Sequence, residues 1–486
     1  MRIALVSMCA ALLAGGAPAA TPAAGKLPVS SVGAATMAPM MDAWMQALAQ
    51  QHAAPVRGPR WQHVDDAAAI GALMFERADL APMTRAPLAI ELAPYAHQFH
   101  GDMMKSPVLA RVALRNGQPV FLAFNKRPDT PVPPAVDGFV RFALSPAGQA
   151  LAAGQPGIAP LPAGEADAEL AKLAGYRAAL DPKLPVYRAG TVVHGELRSV
   201  GSDGMKSLMD GWLRSFRTLQ PGVRPGDRWE HLGTLNGFHA LMADETDIAP
   251  MGRELWPDEA AAFATLRDGR VPLEIRVARG GFNTQQRTTA QAVFVNAANP
   301  IQQLTLPQLA AIFGKSPTIT RWGQLGLTGE WADKPITLDV PPRVAPNAMS
   351  MQMMALNGGP WAESVHEASV ADTAKAIAAD TGAVGYGGFE DGGPGLRAVP
   401  LARDAASPAV AGTPESAATG RYPLTRYMYI RLDRRPGQPV PPVVREFLRY
   451  VLSRQGQEPI PYSGYYPLSA QEVAAELAKL DGVAAE

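Results

Sequence analysis

The residues best suited to hold a ligand lie in the run Val200-Gly201-Ser202-Asp203-Gly204-Met205, where an apolar stretch turns through glycine into an amphipathic pattern. A helix starting at such a turn directs unpaired backbone N–H groups, and the positive end of its dipole, at whatever lies in front of it. Glycine lets a ligand approach the backbone closely, and Ser202 adds a hydroxyl donor. The chemistry on offer is recognition of an oxyanion. A second reading of the same residues has Ser202 or Asp203 capping its own helix, with the Asp203 carboxylate repelling an anion. An earlier stretch of the same pattern carries Ala34-Ala35-Thr36 there, with Thr36 as its one side-chain donor. The eight histidines show no metal-ligand spacing, and neither a phosphate-cradling Gly/Lys loop nor a Gly-x-Ser-x-Gly elbow occurs. Neither catalysis nor a cofactor is expected.

That earlier stretch belongs to a repeat. SVGAATMAPMMDAWMQAL at 31–48 returns as SVGSDGMKSLMDGWLRSF at 199–216, with seven of eighteen positions identical. The offset of 168 also carries Arg60-Trp61-Gln62-His63 onto Arg228-Trp229-Glu230-His231, and Asp79 to Arg85 onto Asp247 to Arg253. RPDTPVPPAVDGFVRFALSPAGQ at 127–149 then pairs with 435–457 at an offset of 308. The first copy therefore lacks 308 − 168 = 140 residues that the second holds between its ends. A period of this size marks domain-sized units and not a solenoid.

The elements that position these residues follow from pattern. Met37, Met40, Met41, Trp44, Met45 and Leu48 recur at helical spacing, as do Met205, Leu208, Met209, Trp212, Leu213 and Phe216, and both stripes read as core. His63 and His231 beside Trp read as packing. Strands are expected at 29–32, 120–124 and 427–432, and each of the last two leads through Pro-Val-Pro-Pro into a helix. The middle of the second copy alternates strands (291–296, 336–340, 383–386) with helices (305–313, 369–379), which makes an α/β lobe of its own. Residues 402–420 read as an exposed loop, and Arg426, Arg431, Arg434 and Arg435 as solvated.

Lys+Arg and Asp+Glu number 44 each in 486 residues, so overall charge favours neither nucleic acid nor an anionic membrane. Met1-Arg2, the apolar run Ile3 to Leu13 and Ala17-Pro18-Ala19 have the form of an export signal over 1–19, too short to span a bilayer. The sole cysteine, Cys9, lies inside it, so the mature chain would have neither disulfide nor thiol chemistry. A soluble periplasmic protein without a membrane span is expected.

The second copy resembles the phosphate-binding proteins of bacterial ABC importers, solute-binding proteins of the type II bilobed fold. The resemblance rests on NPIQQLTLPQLAAIFGKSPTITRWGQLG at 299–326, with support from GSDGMKSLMDGW, DIAPMGR and GAVGYGGF. It implies a complete bilobed domain over 195–482, with lobe one from 195–277 and 422–482 and lobe two from 278–421. A lobe-one-like unit at 27–175 and a linker at 176–194 would precede it. It further implies phosphate or a related oxyanion as ligand and an inner-membrane ABC permease, or another envelope protein, as partner. The implied contacts are Ser202, Asp203, Gly204 and Met205, the turn from Asp247 to Gly252, and Arg343 with Asn347 from lobe two. Asp247 reads equally well as a residue holding its turn. Where relatives carry Ser-Gly-Thr after the arginine, this chain has Pro346-Asn347-Ala348, and Arg279 with Gly280-Gly281 stands where an acidic proton acceptor is usual. The alternative is a scaffold that has lost its small ligand.

Overall fold

The computed structural model describes residues 27–482 apart from 51–54, 100–103, 128–129, 163, 283–287 and 436–437. The export segment and Cys9 lie outside the described residues.

The Met/Trp stripes fold as their spacing demands. Helix Ala38–Leu48 buries Met40, Met41, Trp44, Met45 and Leu48, and helix Lys206–Leu219 buries Leu208, Met209, Trp212, Leu213 and Phe216. Each buried tryptophan has one N–H to satisfy. Trp44 Nε1 donates to the Gly148 carbonyl at 2.8 Å and Trp212 Nε1 to the Gly456 carbonyl at 2.6 Å, so each helix is tied to the far end of its own copy.

Strand pairing repeats as well. Leu27–Ala34 lies parallel to Pro55–Val64, and Gly195–Gly201 parallel to Val223–His231, with a register shift at the same point in each pair. Ala81–Met83, Gln118–Phe124 and Val108–Arg115 form an antiparallel run in the N-terminal unit, and Ala249–Met251, Tyr427–Leu432 and Leu273–Arg279 form its counterpart. Between these, a five-stranded mixed sheet takes the order His366–Glu367, Thr337–Val340, Ala383–Gly388, Gln291–Asn296, Leu396–Ala398. The three largest apolar cores are centred on Trp44 and Phe139, on Trp212 and Phe447, and on Phe313, Trp322 and Tyr386.

The stretch 402–420 differs from the exposed loop expected there, and the linker 176–194, irregular as expected, packs against a core. Within 402–420, Thr413 caps a short helix, Pro414–Ala418, whose last two alanines pack into the mixed-sheet core. Across 176–194, Leu184, Tyr187 and Val193 are buried against the Trp212 core, and Tyr187 donates its hydroxyl to Glu446 at 2.9 Å. Proline-rich stretches can be structured by side-chain burial alone, which pattern does not register. No described helix is long and apolar enough to cross a membrane.

Candidate functional site

A cavity of about 780 Å³ opens between the Trp212 lobe and the mixed-sheet lobe. Ser202, Asp203, Gly204, Gly252, Arg253, Asn347, Glu390 and Arg426 are part of its lining. Three helices begin on it: the one entered through Asp203–Met205, Thr234–Met242 and Pro346–Ala355. Each follows the end of a strand, the place where open α/β sheets present ligand sites. Gly201 makes the first of these turns: a Cβ there would meet the Pro250 carbonyl oxygen at 2.3 Å.

Of the residues expected at the site, the structure brings Ser202, Asp203, Gly204, Gly252 and Asn347 to the cavity. Ser202 is buried and its side chain caps nothing, which disfavours the capping alternative, while Asp203 is exposed at the edge. Gly252 leaves room for Thr288, whose hydroxyl donates to the Gly252 carbonyl; a Cβ at 252 would come within 2.7 Å of it.

Three expected residues lie elsewhere. Arg343 is exposed, and its Nε donates to Glu367 at 2.6 Å while Glu367 also accepts its backbone N–H. It is thus committed to a surface pair outside the cavity lining. Asp247 accepts the Arg198 backbone N–H at 2.8 Å and pairs with the Arg198 guanidinium. Met205 is fully buried in the core beneath its turn. Arg279 is likewise engaged, pairing with Glu472 and donating to the Ala418 and Pro467 carbonyls.

The repeat separates scaffold from site. Asp79 accepts the Ser30 backbone N–H as Asp247 does that of Arg198. Arg85 grips Glu91 through two bonds, at 2.8 and 2.7 Å, and Arg253 grips Glu259 in the same way at 2.7 and 2.6 Å. Ser31 and His63 pair at 3.1 Å, Ser199 and His231 at 3.0 Å. These recurring contacts hold a lobe together. Arg253, though it touches the cavity, is therefore a neutralised strut.

What differs between the copies is informative. In the N-terminal unit, Asp66 lies at the start of helix Asp66–Met74, and its carboxylate accepts the Thr84 backbone N–H at 2.8 Å and the Thr84 hydroxyl at 2.6 Å. The equivalents at an offset of 168 are Thr234 and Gly252, so the second unit places no carboxylate of its own there. Gln118, exposed in the first unit, corresponds at an offset of 308 to Arg426.

Arg426 corrects the expectation of a solvated side chain: it is 2 % exposed, and Arg431 is buried too. Arg431 is paired with Glu274 and reaches the Arg253 carbonyl at 3.0 Å. Arg426 has weaker company. It donates to Asn347 Oδ1 and to the Gly252 carbonyl, both at 3.3 Å, its nearest carboxylate oxygen is Glu254 Oε2 at 3.8 Å, and its Nε has no partner. A buried cation so loosely compensated favours an anion in the space it faces.

Glu390 is the second lining residue that local pattern did not single out. Its Oε1 accepts the Thr289 hydroxyl at 3.2 Å and its Oε2 has no partner. Burial, reinforced by Asp391, outweighs its hydrogen bonds to the backbone and to Thr289 and the weaker pull of Arg426, and raises its pKa to about 7. Near neutrality such a carboxyl can either donate or accept a proton. No group of three or more side chains suited to a metal ion occurs among the described residues.

The chain is similar to known proteins over its C-terminal part. Residues 186–455 match the model of a PBP superfamily domain. The phosphate-binding protein PstS of Pseudomonas aeruginosa is 32% identical over 301 residues, covering 60% of this chain and 90% of that protein. Among solved structures, an ABC-type phosphate transport receptor from Vibrio cholerae aligns with 20% identity and a TM-score of 0.37, covering 56% of this chain and 100% of the receptor. The bilobed α/β domain is of the type II binding-protein class, with a further unit ahead of it. Since the family model spans more than half of the chain and the Pseudomonas protein is matched along nearly its whole length, the chain belongs to the phosphate-binding protein family of the PBP superfamily.

Proposed function

We propose that the chain is an exported solute-binding protein that captures phosphate or a closely related oxyanion between the two lobes of its C-terminal domain. The reading is that of a periplasmic receptor delivering its solute to an ABC-type permease, with residues 27–175 as an additional lobe that takes up no solute itself. The observation that carries it is the exchange at one site of the repeat. Where the first unit sets the Asp66 carboxylate on Thr84 beside its helix start, the second has Thr234, Gly252 and the buried, half-satisfied Arg426. An external oxyanion supplies in the second unit what Asp66 supplies in the first. Ser202 and the helix starts at 203, 234 and 346 donate to it, and Arg426 takes the place assigned to Arg343 from sequence.

Titration calorimetry of the mature chain with inorganic phosphate tests this reading. Arg426→Gln, the residue borne at the equivalent position 118, should weaken binding at least tenfold, since a charged hydrogen bond contributes ~1.5–3 kcal/mol and ~1.4 kcal/mol is one decade. Arg343→Ala should leave the affinity as it was. Binding that ignores Arg426 but depends on Arg343 would overturn the assignment.

A further inference from the structure

Ser202, Arg426 and Glu390 belong to the buried or half-buried part of the cavity lining. Its exposed lining carries, besides Asp203 and Asn236, four apolar side chains: Leu232 (72 %) and Leu235 (52 %) on one lobe, Val344 (77 %) and Val370 (39 %) on the other. Single exposed apolar side chains are common on any protein, but four lining one cleft from both sides are a feature of a binding surface. Trp256 and Met349 continue the lining inward.

The volume points the same way. A bare tetrahedral oxyanion takes up the room of a few waters, each about 30 Å³ in the liquid. The cavity of about 780 Å³ falls instead in the ~300–1,000 Å³ range of sites for organic molecules, which join a largely apolar lining to a few convergent polar groups. Donor supply is also suggestive. Pro346-Asn347-Ala348 provides no hydroxyl, and the Asn347 amide oxygen is already turned to Arg426. An oxyanion with one position taken by carbon needs fewer donors than one with every oxygen free.

Building on the proposed oxyanion site, we infer that the solute is an organophosphoryl compound, its phosphoryl group at the Ser202 and Arg426 end and an apolar substituent between Leu232 and Leu235 on one wall and Val344 and Val370 on the other. Inorganic phosphate is then a partial ligand that satisfies only the polar end. Closure of the lobes on the substituent removes the four exposed side chains from water, and this selects esters and phosphonates over the free ion.

Titration calorimetry of the mature chain with phenyl phosphate, phenylphosphonate and inorganic phosphate decides the matter. The aryl ligands should bind at least about tenfold tighter than phosphate, the scale expected from burying part of a ring. The double substitution Leu232→Ser with Val344→Ser should weaken the aryl ligands several times more than it weakens phosphate. Both side chains are exposed, so the core is not at risk. Phosphate binding as tightly as the aryl compounds, or a double variant that weakens all three alike, overturns the inference and leaves the oxyanion site standing; the second outcome would mean that the walls only meet each other on closure. No binding of any of the three overturns the oxyanion site along with it.

Discussion

Glu390 and Arg426 face one cavity with unpartnered polar atoms, and their opposite tendencies set how it responds to pH. Removing a guanidinium from water without full pairing is unfavourable by several kcal/mol, and an entering anion relieves that penalty. Glu390 imposes the pH limit. Its carboxyl is held up at about 7, so it is neutral below that pH and can donate to a ligand oxygen. Above it the carboxylate forms and faces the anion. Affinity for phosphate should therefore fall as pH rises through about 7, and Glu390→Gln should remove that fall. Calorimetry at pH 6 to 9 on both proteins cancels the ligand's own titration; parallel profiles would exclude Glu390. Neither residue was legible as a site residue. Arg426 stands among other arginines before a strand, and burial, which separates it from them, is a long-range property. Arg343 misled for the complementary reason: its motif position suggested the cleft, but Glu367, 24 residues later, captures it at the surface.

At the scale of elements, the site is a meeting of helix starts, and here the sequence was informative. The strand-to-helix turn at Gly201 was marked by glycine and by the Met/Trp stripe after it, and the return strand Tyr427–Leu432 and the helix after Pro-Val-Pro-Pro were readable from local pattern. The turn at Gly233 was not, because Thr234 and Asn236 are unremarkable until set against Asp66 and Ala68 in the repeat. That contrast yields a test. Thr234→Asp places a carboxylate where Asp66 stands, within reach of the Gly252 backbone as Asp66 is of Thr84. It should reduce phosphate affinity about a hundredfold through competition and repulsion, while the melting temperature of the unliganded protein stays level or rises. Unchanged affinity in a folded variant would break the equivalence of the two helix starts.

At the scale of the molecule, the N-terminal unit rests on the C-terminal one through Arg127, whose Nη1 donates to the Tyr462 carbonyl at 3.1 Å, and through Glu76, within 3.8 Å of Arg214. The order of the chain was visible in its two offsets; this contact was not, since an interface leaves no periodic trace. The binding reading predicts an asymmetry between the units. At a hundred times Kd a ligand stabilises its site by ~2.7 kcal/mol. Hydrogen exchange with saturating phosphate should show added protection in strands and helices of 195–482 and none in 27–175. Equal protection in both would mean that the first unit also takes up solute. Asp66 gives this asymmetry a further meaning. On the proposed reading, that carboxylate, hydrogen-bonded to Thr84, stands in for the solute as a tethered group, at an effective concentration no free solute matches. The N-terminal unit, on that same reading, keeps its own carboxylate where the C-terminal unit takes a solute, so its state does not follow supply.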